Sequence, residues 1–140
     1  GGTCAETTWR QELIPLLDAH RIKYYNPIVP DWNEEARKAE EKAKKEVDTD
    51  LYILTPQMQG VFSIAEIVDS AWRRLQDGFC IVGILGAQEE WGETLWRSLT
   101  ALKEMVTRIS QGSSRVHVDF IEKTEDIMKY FPELPKKKRK

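Results

Sequence analysis

The chain has 140 residues, 41% of them hydrophobic and 31% charged, a composition that fits one globular domain with a real core. Net charge is -2, but the last five residues, Lys136 to Lys140, are all basic, so the body of the chain is acidic, which argues against a broad nucleic-acid surface. No apolar run approaches the ~20 residues of a membrane span, no signal peptide is visible, and two cysteines do not make a disulfide scaffold.

In chain order, Thr8-Trp9-Arg10-Gln11 has capping-box spacing, and Trp9, Leu13, Leu16 and Leu17 then recur at helical intervals. Pro15 removes the bond back to Gln11, which predicts a kink. Ile22 to Asn26 reads as a short strand stopped by Asn26-Pro27, with a loop from Pro27 to Trp32. Asn33 can cap a helix to about Glu46. That helix is almost all Glu, Lys, Ala and Arg, the pattern of a solvated helix with i,i+4 ion pairs. Leu51 to Leu54 is the next strand. Ser63 to about Leu75 forms a helix with Ile64, Ile67, Val68, Ala71 and Leu75 on one face.

Phe79 to Leu85 is a continuous apolar run between Gly78 and Gly86, as in a strand buried on both faces. Cys80 lies in it and reads as a core thiol, whereas Cys4 lies in a loop beside Gly2. This cysteine usage points to a reducing, cytoplasmic home. A long helix begins near Gly92, with a stripe of Leu95, Leu99, Leu102, Val106 and Ile109, and ends at Gln111-Gly112-Ser113-Ser114. Val116 to Ile121 is the last strand and Thr124 to about Tyr130 the last helix. Residues 132–140 read as a disordered basic tail. The tail has the composition of a nuclear-import signal or of a solvated tail, and would add only weak contacts to nucleic acid.

Strands alternate with helices throughout. That predicts an α/β three-layer sandwich over residues 1–131, a parallel sheet with helices on both faces. Gly1-Gly2-Thr3 is the kind of turn that follows a strand, so the first strand is expected upstream of Gly1.

Ligands in such sheets sit at the carboxyl ends of strands, beside helix N-termini. Ser63-Ile64-Ala65-Glu66 lies there. It has capping-box spacing, so Glu66 is either a cap partner or a nucleophile. A carboxylate in a first turn is favoured as the anion by the exposed amides, and an anionic carboxylate can attack an anomeric carbon. Gly2 and Thr3 can approach a sugar or phosphate, or simply form a turn and a cap. Asp48 and Asp50 lie at the other end of their strand, which makes Asp50 structural. Asp69 reads as an exposed helix residue. Trp91 can stack on a base, while Trp72 and Trp96 read as packing residues. His20 and His117 are far apart, and with no Cys/His cluster no metal site is expected.

Gly1-Gly2-Thr3 leading into Trp9-Arg10, then Tyr25-Asn26-Pro27, Asp50-Leu51-Tyr52-Ile53-Leu54 and Ser63-Ile64-Ala65-Glu66-Ile67, resembles the nucleoside 2-deoxyribosyltransferase-like family over roughly Gly1 to Ile84. The resemblance implies a flavodoxin-like fold. It also implies cleavage of the N-glycosidic bond of (deoxy)nucleosides or nucleotides, with the sugar passed to another base or to water. By its place in the pattern Glu66 would be the nucleophile. Gly2, Thr3 and Ser63 would shape the sugar or phosphate pocket, and Asn26 and Trp91 would contact the base. The family's usual state implies a homo-oligomer whose neighbouring subunits close the site. The chemistry needs no cofactor. One departure is the loop Thr55-Pro56-Gln57-Met58-Gln59-Gly60, which lacks the acid that family transferases often carry. A catalytically silent nucleotide- or protein-binding module and an NAD-type glycohydrolase are the competing readings.

Overall fold

The apolar run Phe79–Leu85 forms β2, the middle strand of a three-stranded parallel sheet. β1 (Thr49–Leu54) pairs on one side, with Asp50 opposite Cys80 and Leu54 opposite Ile84. β3 (Val116–Ile121) pairs on the other, with Cys80 opposite Val116 and Ile84 opposite Phe120. The structure is a computed structural model and describes residues 1–3, 7–26 and 33–131.

Successive strand side chains point to opposite faces, so the sheet feeds two cores. On one face Tyr52, Leu54, Cys80, Val82 and Ile84 pack against α3 (Phe62–Arg73) and α5 (Glu93–Ser110). On the other, Ile53, Ile81 and Ile121 pack against α1 (Trp9–Ala19) and a 3₁₀ helix (Thr124–Tyr130). The result is a flavodoxin-like α/β/α sandwich. Ile53, Ile81 and Ile84 are fully buried, each worth roughly 1.5–3 kcal/mol in transfer free energy. Gly83 leaves a gap in β2 that neighbours fill: an added Cβ would lie 2.7 Å from Ile121 Cδ1 and 3.0 Å from the Cδ1 atoms of Ile53 and Ile127.

Beside β1, Gly1 to Thr3 run parallel to the strand's exit. Gly2 bridges Ile53, the Ile53 N–H donates to Gly1 O at 3.2 Å, and the Thr3 N–H donates to Ile53 O at 2.9 Å. Gly2 has φ 120°, and a Cβ there would sit 2.1 Å from Ile53 O. Glycine is therefore required for this approach.

α2 (Glu34–Glu46) is capped by Asn33, whose Oδ1 accepts from the Ala36 N–H at 2.9 Å. Its described side chains include none that is buried, and it carries ion pairs from Arg37 to Glu34 and Glu41 and from Lys42 to Glu46.

Several local expectations give way. Ile22 to Asn26 is irregular rather than a strand. A strand needs a partner, and this segment makes no strand pairing among the described residues. Thr8 does stand at the start of α1, but its hydroxyl donates to the Glu12 carboxylate at 2.6 Å instead of capping. The helix runs on through Pro15. α3 starts at Phe62, one residue before Ser63, with Val61 at its cap position and no side-chain cap bond. The chain after β2 makes an extra turn, α4 (Gln88–Trp91), before α5. The last helix is of the tighter 3₁₀ type, with Asp126 Oδ2 accepting from the Glu122 and Lys123 N–H groups at 3.2 and 3.1 Å. Cys4, the loop 27–32 and the tail 132–140 lie outside the described residues. No described helix is long and apolar enough to cross a membrane.

Candidate functional site

The carboxyl ends of the three strands open onto the segments after Leu54, Leu85 and Ile121. The Gly1–Thr3 turn joins them through β1. Thr3 is 3% exposed, and its Oγ1 accepts from the Thr55 N–H at 2.8 Å. Its carbonyl accepts from Trp9 Nε1 and Arg10 Nη1, both at 2.9 Å. Thr3 is thus the pin that fixes the turn to both β1 and α1. The guanidinium of Arg10 lies over the Trp9 ring, 4.1 Å from its centroid.

From the α3 side, Ser63 Oγ reaches Gly2 O at 3.4 Å, a long hydrogen bond. Because α3 begins at Phe62, Glu66 is in its second turn. The anticipated box between Ser63 and Glu66 is therefore absent. The amide field of the helix start falls off within the first turn, so it is not what positions this carboxylate. Glu66 is half-buried. Its charge acts on Tyr52, a β1 residue with 7% exposure that the sequence reading had placed only in a strand motif. Burial, aided by the negative charges of Asp50 and Glu66, pushes the Tyr52 phenol well above its ordinary value. Tyr52 therefore stays a hydroxyl donor at any working pH.

The structure thus brings Gly2, Thr3, Ser63 and the start of α3 together at the exit of β1. Asn26 is half-buried in the irregular segment after α1. Trp91 follows β2 at the carboxyl end of the sheet but is enclosed: it is 5% exposed, and its ring N–H donates to Leu85 O at 3.0 Å. Trp96 stacks on Phe120 at 4.4 Å, a packing role, whereas Trp72 is exposed on the outside of α3.

Asp50 sits at the entry end of β1, away from this site. Ser70 Oγ donates to it at 2.7 Å, and Arg74 grips it with two contacts of 3.1 Å. Asp69 pairs with Arg73 at 2.8 Å. His117 lies against the Tyr130 ring at 5.0 Å. Among the described residues no group of three or more His, Cys, Asp or Glu is placed to hold a metal.

A cavity of about 270 Å³ opens at the same end of the sheet. Its wall includes Thr55 after β1, Gly86 after β2, Thr124 after β3 and Glu12 from α1. Gly86 has φ 111°, and a Cβ there would meet Pro56 Cγ at 2.8 Å, so glycine lets the first two loops close up. Glu66 and Ser63 do not line this cavity; they lie on the α3 side of the Gly1–Thr3 turn. Periodicity could not have found Glu12, Glu122 or Thr124 as wall residues, because each belongs to an element whose neighbours are set by the tertiary fold.

No curated protein and no solved structure matches the chain. A family model does: the one described as nucleoside 2-deoxyribosyltransferase like covers residues 1–77. That stretch contains the glycine turn, α1, α2, β1 and the whole of α3, and it is more than half of the 140 residues. The chain belongs to the nucleoside 2-deoxyribosyltransferase-like family.

Proposed function

We propose that the protein cleaves the N-glycosidic bond of a (deoxy)nucleoside or nucleotide through Glu66. The observation that carries this reading is a convergence. The glycine turn and the glutamate helix both lie within the matched residues, and Ser63 links them by reaching Gly2 O at 3.4 Å.

In the first step a Glu66 carboxylate oxygen bonds to C1′ of the sugar. The C1′–N bond breaks, its electron pair leaves with the base nitrogen, and the base takes up a proton from solvent. In the second step the nitrogen of another base, or a water oxygen, bonds to C1′, gives up its proton to solvent and expels the carboxylate. Two inversions give net retention. Gly2, Thr3 and Ser63 hold the turn against which the sugar lies, with Asn26 a base contact from the segment after α1. Exposed Val61 before α3, and Phe62 and Trp72 on it, support a second subunit packing beside the site in a homo-oligomer.

A second reading is a catalytically silent binding module of the same fold. The acid-free loop Thr55 to Gly60 favours it. One experiment separates the two. Wild type and Glu66→Gln are incubated with deoxynucleosides, deoxynucleoside monophosphates and NAD, with and without an acceptor base, and free base is followed by chromatography. Release by wild type and its loss in Glu66→Gln is the expected result, and the donor cleaved names the substrate class. No release from any donor by wild type overturns the enzyme reading. A ligand-induced rise in Tm without release selects the binding module.

A further inference from the structure

α3 opens on an aromatic ring held in water. Phe62 is its first residue and is 73% exposed. A ring so placed forgoes most of the transfer free energy that burial supplies.

Its position on the helix ties it to Glu66. The two are four residues apart, so their side chains lie one turn apart and about 40° around the axis from each other. Each Cα–Cβ bond in a helix tilts toward the N-terminus, which leans the Glu66 side chain toward the turn that carries Phe62. This edge of α3 faces the exit of β1. Ser63 reaches Gly2 O at 3.4 Å, and the Glu66 charge acts on Tyr52 of β1.

Other aromatic residues are committed or placed elsewhere. Trp91 is enclosed, and Trp96 and Phe120 stack on each other. Trp72 lies roughly 9 Å past Glu66 along α3 and about 120° around it. Tyr24 and Tyr25 are exposed in the irregular segment after α1. Phe62 is the aromatic residue that stands one helical turn from the carboxylate.

Such a ring offers a flat apolar face. Every nucleobase has a π-face of its own, and stacking on an aromatic side chain tolerates any base. The base is bonded to C1′, so it lies beside the residues that flank the attacking oxygen. We propose that Phe62 is the platform on which the base of the nucleoside stacks while Glu66 meets C1′. The inference rests on the assignment of this crevice as the nucleoside site.

The test is calorimetric titration of the full chain carrying Glu66→Gln, which holds the ligand without consuming it, with the four deoxynucleosides and their 5′-monophosphates. Adding Phe62→Ala should weaken binding by about tenfold, the size of one lost base–aromatic stack. Phe62→Leu keeps apolar bulk but has no π-face, so it should weaken binding too, whereas Phe62→Tyr should preserve it. A ring that served only to pack against a second subunit would tolerate leucine. Phe62 is exposed, so none of these changes removes core packing. Unchanged affinity in Phe62→Ala or Phe62→Leu overturns the proposal, and so does absence of binding by every ligand. Base release by wild type distinguishes the two readings. Release together with binding that ignores Phe62 removes the platform and leaves Glu66 in place. Binding that depends on Phe62 without release keeps the platform and removes the chemistry.

Discussion

Asp50 shows how a buried charge is made tolerable. Burial alone would push its carboxyl up, but the hydrogen bonds from Arg74 and Ser70 and the charges of Arg74 and Arg73 outweigh it and hold it below the ordinary carboxylate range. A group depressed in the folded state adds stability above its unfolded value of about 3.9 and loses it as pH falls through the folded one. Asp50→Asn should therefore flatten the acid limb of a stability–pH curve. Asp50→Ala, which leaves the buried Arg74 unpaired, should cost about 3–5 kcal/mol in urea unfolding. An unchanged acid limb in Asp50→Asn would contradict the assignment. On the same face, burial pushes the Cys80 thiol up to about 11. Native-state alkylation near neutral pH, mapped by mass spectrometry, should leave Cys80 unmodified until the protein unfolds. Rapid native labelling there would show that the core around β2 opens.

Elements differ in what holds them. β2 has a parallel partner on each edge and buried side chains on both faces, whereas α2 rests on exposed ion pairs and one side-chain cap. Surface pairs of this kind contribute little and are screened by salt. Hydrogen exchange should accordingly be fastest in α2 and slowest in β2, with α2 exchange rising further in high salt. Equal protection of the two would mean that α2 packs on something beyond this chain.

These elements also show what was legible in the sequence. β2 and β3 were readable to the residue: Gly78 and Gly86 bound a continuous apolar run, and the serine-rich turn before Arg115 opens the stretch Val116 to Ile121, where Val116 and Val118 alternate with His117 and Asp119. Asn33 was readable as a cap because nothing distant competes for its side chain. The caps at Thr8 and Ser63 were not. Thr8 found a carboxylate one turn away, and Ser63 was drawn to Gly2, 61 residues earlier in sequence. Trp91 looked available for stacking because its loop is polar, yet its indole is enclosed in the core through Leu85.

At the scale of the whole molecule, two segments far apart in sequence are clamped at one sheet end. Gly2 is the joint: it lies against Ile53 in β1, and Ser63 of α3 reaches it. Gly2→Ala would place a Cβ 2.1 Å from Ile53 O. Relief requires the turn to leave β1, which should cost at least the 1–3 kcal/mol typical of overpacking and abolish base release together. Activity retained at wild-type level in Gly2→Ala would separate the turn from the site.

The central claim is that Glu66 becomes covalently joined to the sugar. The most direct measurement uses a nucleoside fluorinated at C2′, whose electron-withdrawing fluorine slows the second displacement and traps the intermediate. Intact-mass analysis followed by peptide mapping should place one glycosyl group on the peptide containing Glu66, with none on Glu66→Gln. An adduct on a different residue, or base release by Glu66→Gln at the wild-type rate, would contradict the account.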